Sequence, residues 1–112
     1  MPYIQTTTNI EITKEQELSL KAKYAQAVQL IGKSQAYLML GFNDKCSMYF
    51  GGEGNEPIAF VEVKCFGKAG GDLCKLTKEI CNIIFEELGI AQDKIYVKYE
   101  FVENWGWNGS NF

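Results

Sequence analysis

The feature that most constrains this chain is a strand-and-helix pattern that runs through twice in 112 residues. Tyr3–Thr8 is β-branched and threonine-rich, which predicts a strand. Thr13-Lys14-Glu15-Gln16 reads as a capping box opening a helix. Leu20, Tyr24, Ala27, Val28 and Ile31 then recur at helical spacing until Gly32, a natural stop. Tyr37–Phe42 is a short apolar run, expected as a buried strand. Ser47–Phe50 is expected as another, ending at the turn Gly51-Gly52-Glu53-Gly54. The plan then repeats. Ile58–Phe66 alternates, with Val61, Val63 and Cys65 on one face and Glu62 and Lys64 on the other. Gly70-Gly71-Asp72 leads into a helix carrying Leu73, Leu76, Ile80, Ile83 and Leu88, closed by Gly89. Lys94–Phe101 alternates again, and Trp105–Gly109 is turn-rich, with Asn108-Gly109 a hairpin signal.

Two tandem β-α-β units predict an α/β (α+β) domain over residues 1–112. Its four-stranded mixed sheet carries two helices on one face, with short extra strands. No helix is left for the other face. With 13% of the chain aromatic, that face is either solvated or buried against further copies, and the second option predicts an oligomer.

Composition removes several function classes. A net charge of −3 disfavours a nucleic acid partner. No apolar run approaches the length of a membrane span, and the start Met1-Pro2-Tyr3-Ile4 lacks a signal peptide's pattern, so a cytoplasmic protein is expected. There is no histidine, and Cys46, Cys65, Cys74 and Cys81 form no Cys-x-x-Cys pair. That argues against a zinc site and makes the cysteines reduced small hydrophobes; Cys74 and Cys81, seven apart, share a helix face. No metal and no cofactor is expected. The absence of histidine also removes every Ser-His or Cys-His mechanism, so an enzyme of this sequence takes its proton with an unusual base.

Individual motifs are weak. Ile31-Gly32-Lys33-Ser34 imitates the end of a phosphate-binding loop, but it ends a helix and Ala27 stands where the first glycine belongs. Gly67-Lys68-Ala69-Gly70-Gly71 precedes a helix N-terminus and reads equally as an anion cradle or a flexible connection. Asn108-Gly109-Ser110 matches a glycosylation sequon but reads as a turn. Pro2 has the bland reading of a strand's first residue. Its chemistry is more attractive. Removal of Met1 would expose a secondary amine with an ordinary pKa of about 7.7–8.0. Burial and a nearby lysine would lower that value, giving a base suited to a carbon beside a carbonyl.

Met1-Pro2, Gly32-Lys33, Met48-x-Phe50-Gly51-Gly52, Glu56-Pro57, Gly67-Lys68-x-Gly70-Gly71, Ile95-Tyr96-Val97 and Gly106-Trp107-Asn108-Gly109-Ser110-x-Phe112 fall in order along the chain. Together they resemble the macrophage migration inhibitory factor and dopachrome tautomerase family. The resemblance implies the trimeric tautomerase fold, a homotrimer with an active site at each subunit interface, and keto–enol tautomerase activity. It assigns Pro2 as catalytic base, with Lys33 holding the substrate carboxylate and depressing the Pro2 pKa. Tyr3, Cys65, Phe66, Trp105, Trp107 and Phe112 would line the pocket, and Tyr96 and Lys98 would reach in from a neighbouring subunit. The implied substrates are small aromatic keto acids of the phenylpyruvate or dopachrome type, which suit an aromatic slot with one or two cations.

The departures are specific. Phe66 replaces a common isoleucine, Lys98 an asparagine of the animal proteins, and Ser34 a common proline. Ile58-Ala59-Phe60-Val61 stands where the mammalian cytokine carries Cys-Ala-x-Cys, so no thiol redox role carries over. Two alternatives stay open. One is a cytokine-like ligand of a cell-surface receptor, secreted without a signal peptide. The other is a plain ferredoxin-like binding module.

Overall fold

The structure is a computed structural model describing residues 1–112. Strand β1, Pro2–Thr8, is followed by helix α1, Lys14–Ala27. The capping box forms: the Thr13 hydroxyl accepts from the Gln16 amide while the Gln16 side chain accepts from the Thr13 amide. The last turn tightens into a 3-10 turn, Val28–Ile31, and Gly32 ends it in the left-handed region at φ 72°. A second 3-10 turn, Gln35–Tyr37, leads into β2, Met39–Asn43. The second unit comprises β3, Ala59–Phe66, helix α2, Leu73–Leu88, and β4, Ile95–Val102. A hairpin of β5, Gly106–Trp107, and β6, Ser110–Asn111, closes the chain. Its turn residues Asn108 and Gly109 both have positive φ, as the Asn-Gly signal requires.

The sheet order is β2-β1-β3-β4. β1 runs parallel to β2, β3 runs parallel to β4, and the two units join through the antiparallel pair β1–β3. Ile4 on β1 and Ala59, Val61, Val63 and Cys65 on β3 point to the helices and form one core with Leu20, Tyr24, Val28, Ile31, Leu76, Ile80 and Ile84. Two buried hydroxyls enter this core satisfied: Thr6 bonds the Tyr24 hydroxyl and Thr8 donates to the Ile58 carbonyl.

The two-unit architecture is as expected, with two local corrections. Tyr37 and Leu38 are not strand. Ser34 accepts from the Ala36 amide and starts a 3-10 turn, so the strand begins two residues later at Met39. Ser47–Phe50 joins no sheet; only a Phe50–Glu53 bridge forms around Gly51-Gly52. The sheet ends on β2 and β4 as its edge strands, and this segment pairs with neither. Within α2, Cys81 is buried, whereas Cys74 in the first turn is exposed. No helix is long and apolar enough to cross a membrane.

Candidate active site

The candidate groups gather at the Pro2 end of β1. Pro2 is buried and lies opposite Cys65 in the β1–β3 ladder. The Cys65 thiol is fully buried, and burial pushes its pKa up, leaving it neutral near pH 7. The next residue, Phe66, offers its peptide groups on both sides. Its N–H donates to the Met1 carbonyl at 3.4 Å, and its carbonyl accepts from Lys33 Nζ at 2.9 Å.

Lys33 arrives there because α1 ends where it does. With Gly32 left-handed, the Gly32 amide donates to Gln29 and the Lys33 amide to Val28. The chain turns off the helix and aims the lysine across the sheet end. No carboxylate pairs with Lys33, which takes part in none of the molecule's ion pairs. Its cation is felt at the chain's α-amino group on Met1. That amine is held below its ordinary pKa, first by burial and second by Lys33, with Cys65 opposing.

Pro2 also borders a cleft of about 510 Å³ lined by Met1, Tyr3, Tyr37, Met39, Trp105 and Trp107 among others. Within its wall Tyr37 meets Trp107 edge-on with centroids 5.8 Å apart; beside the cleft Trp107 stacks on Phe112 at 6.3 Å, and Phe112 meets Phe66 at 5.1 Å. The Phe112 amide donates to the Trp105 carbonyl, folding the terminal hairpin back on itself. Tyr3 lies across β2 with its hydroxyl donating to Gln5, a path that is open only because Gly41 has no side chain there.

Within one chain, Pro2, Tyr3, Lys33, Cys65, Phe66, Trp105, Trp107 and Phe112 therefore meet at this end of the sheet. Tyr96 and Lys98 do not. Tyr96 pairs with Phe60, and Phe60 with Thr7, five residues along β1 from Pro2, or about 17 Å at about 3.3 Å per residue. Both point from the uncovered sheet face, where Lys98 is ion-paired with Glu100 at 2.8 Å. Sequence reasoning missed Tyr37 as a wall residue because it assigned it to a strand. The usable signal was Ser34, a turn-initiating residue just after the helix stop. The Gly67–Gly71 loop also resolves into a packing role. The Gly70 amide is spent on Ile31, and the Asp72 carboxylate already accepts from the Cys74 and Lys75 amides of α2.

Fold and site together define a class: proteins of two fused β-α-β units with their candidate functional groups collected at one end of the central strands. The sequence model of the family "Macrophage migration inhibitory factor (MIF)" matches residues 1–112, and the chain belongs to that family. A macrophage migration inhibitory factor from Meriones unguiculatus is 30% identical over 115 residues, covering 100% of this chain and 99% of the relative. The crystal structure of Leishmania major MIF2 is 32% identical with a TM-score of 0.93, covering 100% of this chain and 97% of that one. The homologue from Prochlorococcus marinus is 29% identical with a TM-score of 0.86, with 98% of each chain covered.

Proposed function

We propose that this protein is a keto–enol tautomerase acting on small aromatic keto acids of the phenylpyruvate or dopachrome type, with Pro2 as general base after loss of Met1. Family membership supports isomerase activity in general. The observation that carries the finer reading is the meeting of a buried Pro2, a Lys33 ammonium with no carboxylate partner and an aromatic cleft at one sheet end.

Removal of Met1 has two consequences. The amine moves inward from the half-buried Met1 to the buried Pro2. The burial and Lys33 effects that already depress the Met1 amine then act at closer range, favouring the neutral, basic form near pH 7. The Phe66 N–H also loses its Met1 carbonyl partner, freeing a donor beside Lys33 Nζ. A keto acid whose carboxylate takes these two donors places the hydrogen-bearing carbon on the far side of its keto group beside the proline nitrogen. The nitrogen accepts the carbon-bound proton, electron density passes to the keto oxygen, and the prolinium returns a proton to complete the isomerisation. The aromatic ring of the substrate lies among Tyr37, Trp107 and Phe112.

The assembly in this reading is a homotrimer. It is supported by the uncovered sheet face, where Met39 and Tyr96 are exposed, and by a Ser47–Phe50 segment with no partner strand of its own. Tyr96 and Lys98, remote from Pro2 in their own chain, would then serve a neighbour's site. The test is phenylpyruvate tautomerisation by purified protein whose mass is followed by light scattering. Acceleration well above the buffer rate by a species of three-chain mass is expected. A monomer, or a rate no faster than buffer, contradicts the reading.

A further inference from the structure

The connection from β3 to α2 meets the Lys33 ammonium at one end and the turn that precedes Lys33 at the other. Its first residue, Phe66, accepts the ammonium through its carbonyl. Its last residues pack against the turn from which Lys33 springs. The Gly70 amide donates to the Ile31 carbonyl at 2.9 Å, and the Gly70 Cα lies 3.5 Å from where a Cβ on Gly32 would stand. Gly71 is packed harder still: a Cβ there would run into the Leu30 carbonyl and stand 3.2 Å from the Ile31 Cα. The approach is one of backbone on backbone, so no side chain can swing aside to admit the extra carbon. Lys33 carries four rotatable side-chain bonds and has no carboxylate to orient it, so its ammonium is positioned only by what holds its two ends.

We infer that the Phe66–Gly71 connection is a two-ended clamp for Lys33, and that Gly70 and Gly71 are positioning residues for its ammonium; this rests on the tautomerase reading above. Any side chain at Gly71 pushes the connection off the end of α1. That displaces the base of Lys33 relative to the Phe66 carbonyl, and the cation moves away from both the amine and the substrate carboxylate.

The test is a double-mutant cycle on phenylpyruvate tautomerisation. Gly71→Ala is measured in the natural chain and in Lys33→Ala. Gly70→Ala, whose Cβ meets the Ile31 carbonyl at 3.1 Å and needs only a small shift, serves in parallel should Gly71→Ala fail to fold. If the glycines act through Lys33, Gly71→Ala lowers kcat/KM by about tenfold in the natural chain but by less than about twofold once Lys33 is gone. The acidic limb of the rate–pH profile also moves to higher pH in the single glycine variant, as it does in Lys33→Ala. Equal losses in both backgrounds, or an unmoved acidic limb in a folded glycine variant, overturn the clamp. A natural chain that tautomerises phenylpyruvate no faster than buffer would instead overturn the tautomerase reading itself, so the two failures are separable.

Discussion

The two β-α-β units end their helices in the same way and then do opposite things. In the first, Gly32 turns left-handed at φ 72° and the next residue is Lys33, whose ammonium crosses the sheet end to the Phe66 carbonyl. In the second, Gly89 turns left-handed at φ 69° and the next residue is Ile90, fully buried in the core. The strand starts differ to match. At the first pole Pro2 opens onto an aromatic cleft. At the second, Asn9 seals the start of β3, accepting from the Ile58 amide and donating to the Glu56 carbonyl, both at 2.9 Å. One backbone plan thus yields an open pole with a cation that no carboxylate neutralises and a closed pole with an apolar plug. The scaffold supplies a position just past a helix cap; the residue placed there decides between stability and chemistry.

Breaking the open pole should cost activity and spare the fold. The largest effect is expected for Pro2→Gly, a loss of about 10²–10⁴ in kcat/KM with an unchanged unfolding midpoint. Breaking the closed pole should do the reverse. Ile90→Ala empties a fully buried site, and a loss of about 2–5 kcal/mol is expected in urea unfolding, with kcat per folded molecule retained. A large activity loss in folded Ile90→Ala would erase the distinction between the poles.

Lys33→Ala sharpens the comparison. Loss of a charge-assisted contact to the substrate should lower kcat/KM by about 10–100-fold, mostly through KM. The pH effect has a definite sign. Lys33 holds the terminal amine below its ordinary pKa, so its removal raises that pKa. The base must be neutral to accept a proton, and the acidic limb of the rate–pH profile therefore moves to higher pH. Part of the depression persists, because burial is the larger cause. A limb that stays in place would mean that Lys33 acts on substrate alone.

The smallest effect is expected for Lys98→Asn. In a trimer Lys98 would add a second cation to a neighbour's site, yet its charge is largely taken up by Glu100, which raises the lysine's pKa and lowers its own. A rise in KM of less than about threefold, weakening in salt, is expected. A tenfold rise would mean that Lys98 leaves Glu100 to bind substrate.

Most of this was legible in the sequence where local chemistry decides. The capping box, the two glycine stops and the alternation of β3 and β4 each follow from residues a few positions apart, and they place Pro2 and Lys33 on their elements. What was not legible depends on contacts across the fold. That Ser47–Phe50 stays out of the sheet, pairing with neither edge strand, is not written in its own residues. The choice between anion cradle and packing loop at Gly67–Gly71 turns on the approach of Leu30 and Ile31, forty residues away in sequence. The separation of Tyr96 and Lys98 from Pro2 is a matter of strand register, which alternation alone does not give.

The central claim is that the free nitrogen of Pro2 is the base, and it is tested most directly by intact-mass spectrometry on the same preparation that turns over phenylpyruvate. The expected result is an active protein lacking Met1, with activity falling in proportion to any fraction that retains it. Full activity in a preparation that keeps Met1 throughout would contradict the account, because the Pro2 nitrogen is then an amide and has no basic lone pair to offer.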